Sequence, residues 1–239
     1  MKPVPPRALS DCETCPKRDD SDICDLIPPG EEVPGVLKRR AIYQPGQFVF
    51  YEGHAPLGLY VLCQGRVKLT RLTRKGHQRV VGIVDAGHLL EKQVLQDQAV
   101  HQVTCEALEP SQVCLLDRPG FLNMLKGNGE LAVKLVQVLS KEMSQVSLAA
   151  DQFAFSPAKE RLAGLLLELQ DRFGEPVPDG IRLALNLKRE DLAQMAAVTV
   201  ETVVRLLHDL QTDDLITMHG RDITILKPER LRKIADISM

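Results

Sequence analysis

Three cysteines near the start of the chain, Cys12, Cys15 and Cys24, fall in the pattern C-x2-C-x8-C. A two-residue spacer brings both sulfurs of such a pair to one side of a turn, where they can grip one soft metal centre. Three thiolates this close repel one another unless a cation is shared among them. The spacing therefore points to metal binding or to redox chemistry. Residues 1 to about 30 around them are rich in proline and charge, with little that could build a packed core. The segment is expected to be either disordered or held by whatever its thiols bind. Cys63, Cys105 and Cys114 are dispersed, which by itself is uninformative, and Cys63 and Cys105 are expected to pack as small buried hydrophobes.

A second stretch, Leu187 to Leu210, reads LKREDLAQMAAVTVETVVRLLHDL. Leu192, Met195 and Ala196 mark one short amphipathic helix, and Val203, Leu206, Leu207 and Leu210 mark another. Between them Thr199 suits an N-cap, its hydroxyl within reach of the free amides of the next turn. Glu201 adds favourable charge there. Two helices joined so tightly form a helix-turn-helix, whose second helix can lie in a DNA major groove. Glu201, Val204, Arg205 and His208 lie off the apolar stripe, roughly one turn apart, where base edges could be met. An ordinary helical hairpin in a small α domain has the same pattern, so the stretch alone leaves both readings open.

The elements that must position these two stretches differ in texture. From Ile42 to Leu116, glycines at 46, 53, 58, 65, 76, 82 and 87 punctuate short runs such as QFVFYEG, LGLYVLCQG, RVKLTRL and QRVVGIV. Many short strands with glycine turns and no intervening helix point to a sandwich or jelly roll. From about Leu131 to Phe153 the period becomes helical. Ala132, Val136, Leu139, Met143, Val146, Ala150 and Phe153 alternate in steps of four and three, a heptad seam that packs lengthwise on another helix. Leu131, Leu135 and Val138 widen the apolar face, so the helix is expected to lay one face on the β domain and the seam on a second copy.

Ser156 is an expected N-cap and Pro157 an expected first residue of a helix through Leu169, followed by a loop over Gly174, Pro176, Pro178 and Gly180. IRLALNL reads as a short strand leading into the helix-turn-helix. LITMHGRDITIL reads as a hairpin turning at His219-Gly220-Arg221.

Composition bounds the function classes. The chain has 239 residues, 44% hydrophobic and 26% charged, in the range of soluble globular proteins with one large or two modest domains. No apolar run approaches the roughly 20 residues that span a bilayer. The opening MKPVPPRALSDCETC lacks the apolar core of a signal peptide, so a cytoplasmic location with no membrane partner is expected. In that compartment the cysteines are not expected to form structural disulfides. Net charge is −2, so DNA binding would depend on the local placement of a few cations. No Ser/His/Asp set, phosphate loop or paired carboxylates suggest an enzyme.

Taken in order, QPGQFVFYEG, LYVLCQGRVKL, AKERLAGLLLEL, LKREDLAQMAAVTVETVVRLL and LITMHGRDITI resemble the CRP/FNR superfamily of bacterial transcription regulators over nearly the whole chain. The resemblance implies an α+β chain of four parts. A cysteine-containing segment at 1–30 precedes a jelly-roll, cyclic-nucleotide-binding-like β domain at 31–127. A dimerisation helix at 128–155 and a winged helix-turn-helix DNA-binding domain at 156–239 follow. It implies a homodimer on double-stranded DNA with a palindromic operator, with RNA polymerase as a further partner.

The cyclic-nucleotide branch of the superfamily holds phosphate with a Gly-Glu pair and an Arg-Ser pair. Here Glu91 follows Leu90, and His101-Gln102 stands near the Arg-Ser position. A cyclic phosphate would lack its bidentate counter-charge, so no cyclic nucleotide is expected. No Cys-x-His pair suggests haem. The branch most similar holds a 4Fe-4S cluster on three N-terminal cysteines and one in the β domain, where ALEPSQVC aligns with the fourth ligand. The implied ligands are Cys12, Cys15, Cys24 and Cys114, which would make the chain a sensor of oxygen, nitric oxide or redox state. A thiol-disulfide switch or structural zinc on the same cysteines are the alternatives. An electron-transfer iron–sulfur protein would leave the helix-turn-helix unexplained. The Cys15–Cys24 gap is longer than in the best-known members, Val146 replaces an acidic residue, and Val204 stands where a serine reads the half-site.

On the recognition helix the resemblance assigns Arg205 to a guanine and Glu201 to a cytosine amine or to orienting Arg205. Val204 would meet a thymine methyl, with His208 alongside and Thr199 capping. Lys188 and Arg189 at the first helix and Arg221 on the wing are candidate phosphate contacts.

Overall fold

A strand that is apolar at successive positions must be buried on both faces, and GLYVLC is such a run. It becomes β3 (Gly58–Gln64) in the computed structural model, which describes residues 15, 17–28, 35–73, 76 and 78–235, with the backbone alone for 145–155. The chain forms two units, Met1–Met143 and Ser144–Met239.

In the first unit one antiparallel sheet runs β1 (Lys38–Tyr43), β8 (Ser111–Asp117), β3, β6 (Leu89–Glu91). The other runs β2 (Phe48–Phe50), β7 (Thr104–Ala107), β4 (Arg66–Leu72), β5 (Gln78–Asp85). Two four-stranded sheets of eight strands are the jelly-roll architecture expected. Alternation along β3 and β8 then divides the core. Tyr60, Leu62 and Val113 pack with Phe50, Val67, Leu90, Val103 and Cys105. Leu59, Val61, Cys114 and Leu116 face the opposite way and pack with Leu89, Val94 and Phe121.

This second cluster is where the unit departs from expectation. Its cover includes a helix that the β reading of 31–127 omitted, α1 (Arg118–Gly127), capped by Asp117, whose carboxylate accepts from Gly120 N at 3.1 Å. It also includes the root of α2 (Gly129–Phe155), through Leu131 and Leu135. The third cover is the N-terminal segment. Residues 17–28, expected to be disordered or held through their thiols alone, bury Ile23 completely and Ile27 almost so in the same cluster. Asp22 ties the segment to the barrel. Its carboxylate accepts from Leu89 N (2.8 Å) and His88 Nδ1 (3.0 Å), and its own amide donates to Gly87 O (2.8 Å). Burial works against the charged form of Asp22, but the bonds from His88 and Leu89, with the charge of Lys92, together hold its pKa below the usual value. Lys134 of α2 reaches Asp25 at 2.5 Å.

The second unit is a helix-and-sheet domain. α3 (Ala158–Phe173) starts with Pro157, not Ser156, at the N-cap and without a side-chain cap. The loop expected after it contains β9 (Gly174–Val177), which pairs with β10 (Gly180–Leu183). Pro176 in this edge strand and Pro178 just after it masked that pairing in the sequence. β11 (Ile216–His219) and β12 (Asp222–Ile225) form the expected hairpin, turning at Gly220 with φ +64°, and the sheet order is β11-β12-β10-β9. α4 (Arg189–Met195) and α5 (Val200–Thr212) are the two helices of the helix-turn-helix, and a final helix, α6 (Pro228–Ile234), packs against α3.

The turn between α4 and α5 is made without glycine. Val198 N donates to Ala193 O at 3.0 Å, the closing bond of a Schellman turn, which puts Ala197 in the left-handed region at φ +51°. Arg161 of α3 braces it, with Nε on Ala196 O (2.9 Å) and Nη2 on Ala197 O (3.1 Å). Among the described residues no helix is long and apolar enough to cross a membrane.

Two outcomes follow from these contacts. Asp22→Ala leaves the buried Leu89 amide without its acceptor, a loss of about 1–3 kcal/mol. Faster exchange of the Leu89 amide and earlier tryptic cleavage at Lys17 and Arg18 are expected, and unchanged protection would show that Asp22 is not the tether. Ala197→Gly relieves the left-handed strain, so the denaturant midpoint should rise by about 1 kcal/mol in stability at constant m-value.

Candidate functional site

The N-terminal thiols meet the barrel at a small recess. Cys15, Lys17, Arg18 and Cys24 line one side, and Leu62, Cys63 and Gly87 line the other. Gly87, at φ +101°, carries the chain round the turn before β6 and receives Asp22 N on its carbonyl. Ser21 positions Cys24 directly, its hydroxyl accepting from Cys24 N at 2.7 Å while donating to Arg18 O at 2.7 Å. Arg18 in turn donates to Ile27 O at 2.7 Å, closing the segment on itself.

Cys63, expected to pack as a small hydrophobe, does pack against the second cluster while half-buried, and it also lines this recess. The ladder shifts between Leu62 and Gln64, so Cys63 sits at an irregularity in β3, a feature that residue spacing does not reveal. Cys114, the implied fourth ligand, lies opposite Val61 on β8 and is 4% exposed. Its side chain is hydrogen-bonded to Cys63, and this bond, against the opposing effect of burial and with help from Lys38 and Arg40, holds the Cys114 thiol below its ordinary pKa. Cys105 behaves as expected, fully buried and with its thiol pushed well up by burial. Cys12 lies outside the described residues.

The donor set suits an iron–sulfur cluster. Cys15, Cys24 and Cys63 are soft sulfur donors around one recess, and Lys17 and Arg18 offset the negative charge that thiolates bring. Among the described residues, no three His, Cys, Asp or Glu side chains converge closely enough to hold a single ion.

On the other face of the first sheet, the position that the resemblance associates with cyclic phosphate is internally satisfied. Glu91 pairs with His101 Nδ1 and accepts from Gln102 N at 2.6 Å. His101 is 2% exposed and stacked on Phe50, with ring centroids 4.0 Å apart.

The candidate nucleic-acid face lies on α5. Val203, Leu206, Leu207 and Leu210 are buried, while Glu201, Val204, Arg205 and His208 are exposed on the opposite side. Thr199 caps the helix, its hydroxyl accepting from Thr202 N at 3.2 Å. Glu201 is drawn onto its own backbone amide and Thr199, which lowers its pKa, so its carboxylate serves the helix N-terminus here. Lys188 stands exposed ahead of α4. Arg189, a candidate phosphate contact, is half-buried. Its Nη2 donates to Gly220 O at 2.8 Å and approaches Met218 Sδ at 3.5 Å, bracing the hairpin, and burial lowers its pKa. Arg221 reaches Asn186 Oδ1 at 3.3 Å and remains exposed on the wing.

Along α2 the expected seam is split. Val136 and Met143 are exposed, joined by Val133, which the heptad reading missed. Ala132 is half-buried, and Leu139 packs against the barrel cluster beside Leu131 and Leu135. The side chains of Val146, Ala150 and Phe153 lie outside the described residues.

Comparison with known proteins bears on both units. A cyclic nucleotide-binding domain model matches residues 40–128, and a Crp-like helix-turn-helix domain model matches residues 160–234. The global nitrogen regulator of Synechococcus elongatus is 30% identical over 194 residues, 79% of this chain and 86% of that protein. The fumarate and nitrate reduction regulatory protein of Vibrio cholerae is 27% identical over 209 residues, 87% of this chain and 83% of that protein. Among solved structures, FixK2 from Bradyrhizobium japonicum superposes with a TM-score of 0.72 at 22% identity, covering 85% of this chain and 100% of that one. A CRP/FNR-family regulator from Thermus thermophilus superposes with a TM-score of 0.70 at 21% identity, covering 83% of this chain and 98% of that one. With a β-sandwich, a long helix and a winged helix-turn-helix in the matching order, the chain belongs to the CRP/FNR family of DNA-binding transcription regulators.

Proposed function

We propose that this regulator is a homodimer whose DNA affinity answers to oxygen, nitric oxide or redox state through a 4Fe-4S cluster on Cys12, Cys15 and Cys24 and a thiolate of the β domain, for which the family alignment names Cys114. Such a cluster supplies an oxidant-labile centre whose integrity depends on its thiolate ligands. The observation that carries the reading is the shared core. Ile23 and Ile27, on either side of Cys24, pack in one cluster with Leu131 and Leu135 at the root of α2. Order in the thiol segment is thus tied to order in α2. Lys134 on Asp25 and Lys92 on Glu142 add two polar ties to the same helix.

The exposed row of Val133, Val136 and Met143 on α2 supports pairing with a second copy. The internal pairing of Glu91 with His101 and Gln102 supports a regulator without cyclic nucleotide. Two recognition helices related by twofold symmetry would read a palindromic operator, with RNA polymerase as the downstream partner. Lys188 and Arg221 would contact phosphate, and Val204 would offer apolar contact to a thymine methyl.

A thiol-disulfide switch is the second reading, favoured by the hydrogen-bonded pair Cys63 and Cys114. Anaerobic purification with iron and sulfide analysis separates the two. Four irons per chain, lost in air, are expected. Zinc, or no metal with disulfides that form and reduce reversibly, would overturn the cluster. For the DNA face, Arg205→Ala should cost about 1–3 kcal/mol per half-site in specific binding at fixed salt while leaving oligomeric state unchanged. Unaltered operator affinity would remove Arg205 from the reading set.

A further inference from the structure

We propose that Cys63 is an iron ligand in this protein, supplying the β-domain thiolate to the cluster, with Cys114 as its hydrogen-bond partner behind it. The inference rests on the cluster reading above and changes which residue completes it.

Three observations converge on Cys63. Its side chain lines the recess that Cys15 and Cys24 line from the opposite side, whereas Cys114 is not part of that lining. It is half-buried, with access from the recess, while Cys114 is 4% exposed within the cluster formed by Val61, Leu89 and Leu116. The shift in the β3 ladder between Leu62 and Gln64 falls at Cys63, as irregularities that re-aim a side chain do. A cluster held by Cys15 and Cys24 at the recess would meet Cys63 first. Cys24 and Cys63 pack at the partly buried edge of the cluster in which Cys114 is buried.

The placement also gives Cys114 work. With Cys63 bound to iron as a thiolate, its proton lost to solvent on assembly, the Cys114 S–H becomes the donor in the pair. Hydrogen bonds to cluster sulfurs tune potential and stability. Lys17 and Arg18 at the rim offset the added negative charge.

The test is anaerobic assembly of the full chain as wild type, Cys63→Ala, Cys63→Ser and Cys114→Ala. Iron and sulfide per chain and visible absorption are read, with near-ultraviolet circular dichroism to confirm native packing. The Cys63 variants should hold fewer irons than the wild type's four, while Cys114→Ala keeps four with an altered spectrum. Four irons and a wild-type spectrum in the Cys63 variants would overturn the assignment, as would iron loss confined to Cys114→Ala. Should the Cys63 variants lose native packing, alkylation of the wild type decides. Cys63 should be protected from iodoacetamide in the iron-loaded protein and labelled after chelation, and equal labelling in both states overturns the proposal. A wild type that takes up no iron defeats the cluster reading itself, a different result from a cluster that ignores Cys63.

Discussion

The packing of Ile23 against the outward face of the first sheet is the contact on which the rest of the first unit depends. β3 and β8 are apolar on both faces, and a sheet with two apolar faces needs two covers. The second sheet covers one. The other is covered by α1, the root of α2 and the N-terminal segment together, through Phe121, Leu131, Leu135, Ile23 and Ile27. Full burial of an isoleucine is worth on the order of 1.5–3 kcal/mol, so the segment contributes appreciably to a domain whose net stability is itself only about 5–15 kcal/mol. Disorder in residues 17–28 would remove one cover and leave the α2 root with part of its cluster missing. That makes the thiol segment a structural part of the β domain, whatever its cysteines bind.

A different economy governs the reading end. A short turn between two helices must fix their angle, and here it does so with Ala197 in a conformation that alanine adopts at a cost of roughly 1–2 kcal/mol. The strain is held by neighbours: Arg161 caps both carbonyls of the turn, and the Ala193–Val198 bond closes it. Arg189 does for the wing what Arg161 does for the turn, clasping Gly220. Both arginines thus hold backbone carbonyls of the domain.

Much of this was legible in residue order. The stripe of Val203, Leu206, Leu207 and Leu210, the cap at Thr199 and the hairpin at Gly220 are local features, fixed within a few residues, and spacing rules reach them. What spacing could not reach is contact across the chain. Asp22 looks like one more charge in an acidic run until Leu89, 67 positions later, presents its amide. Ile23 and Ile27 are too few to signal a core, because the core they join is supplied by distant strands. Cys63 reads as a strand hydrophobe because its exposure depends on a ladder irregularity that alternation assumes away. Leu139 fits a heptad as well as it fits the barrel, and only the barrel's shape decides between them.

The same sheet also accounts for why one fold can serve different signals. Its inward face carries the position at which relatives with a Gly-Glu and an Arg-Ser pair hold phosphate. Here a buried histidine, stacked on Phe50, takes the carboxylate of Glu91, while Gln102 donates its amide to the other oxygen. A ligand entering there would have to break these buried hydrogen bonds before making any bond of its own, a penalty that binding would need to overcome. Its outward face carries Cys63 and Cys114 and receives the thiol segment. Closing one face by internal pairing while opening the other to soft donors needs no change in strand order, only in which residues alternate onto each side. Both faces belong to the strands that pack against α1 and the root of α2.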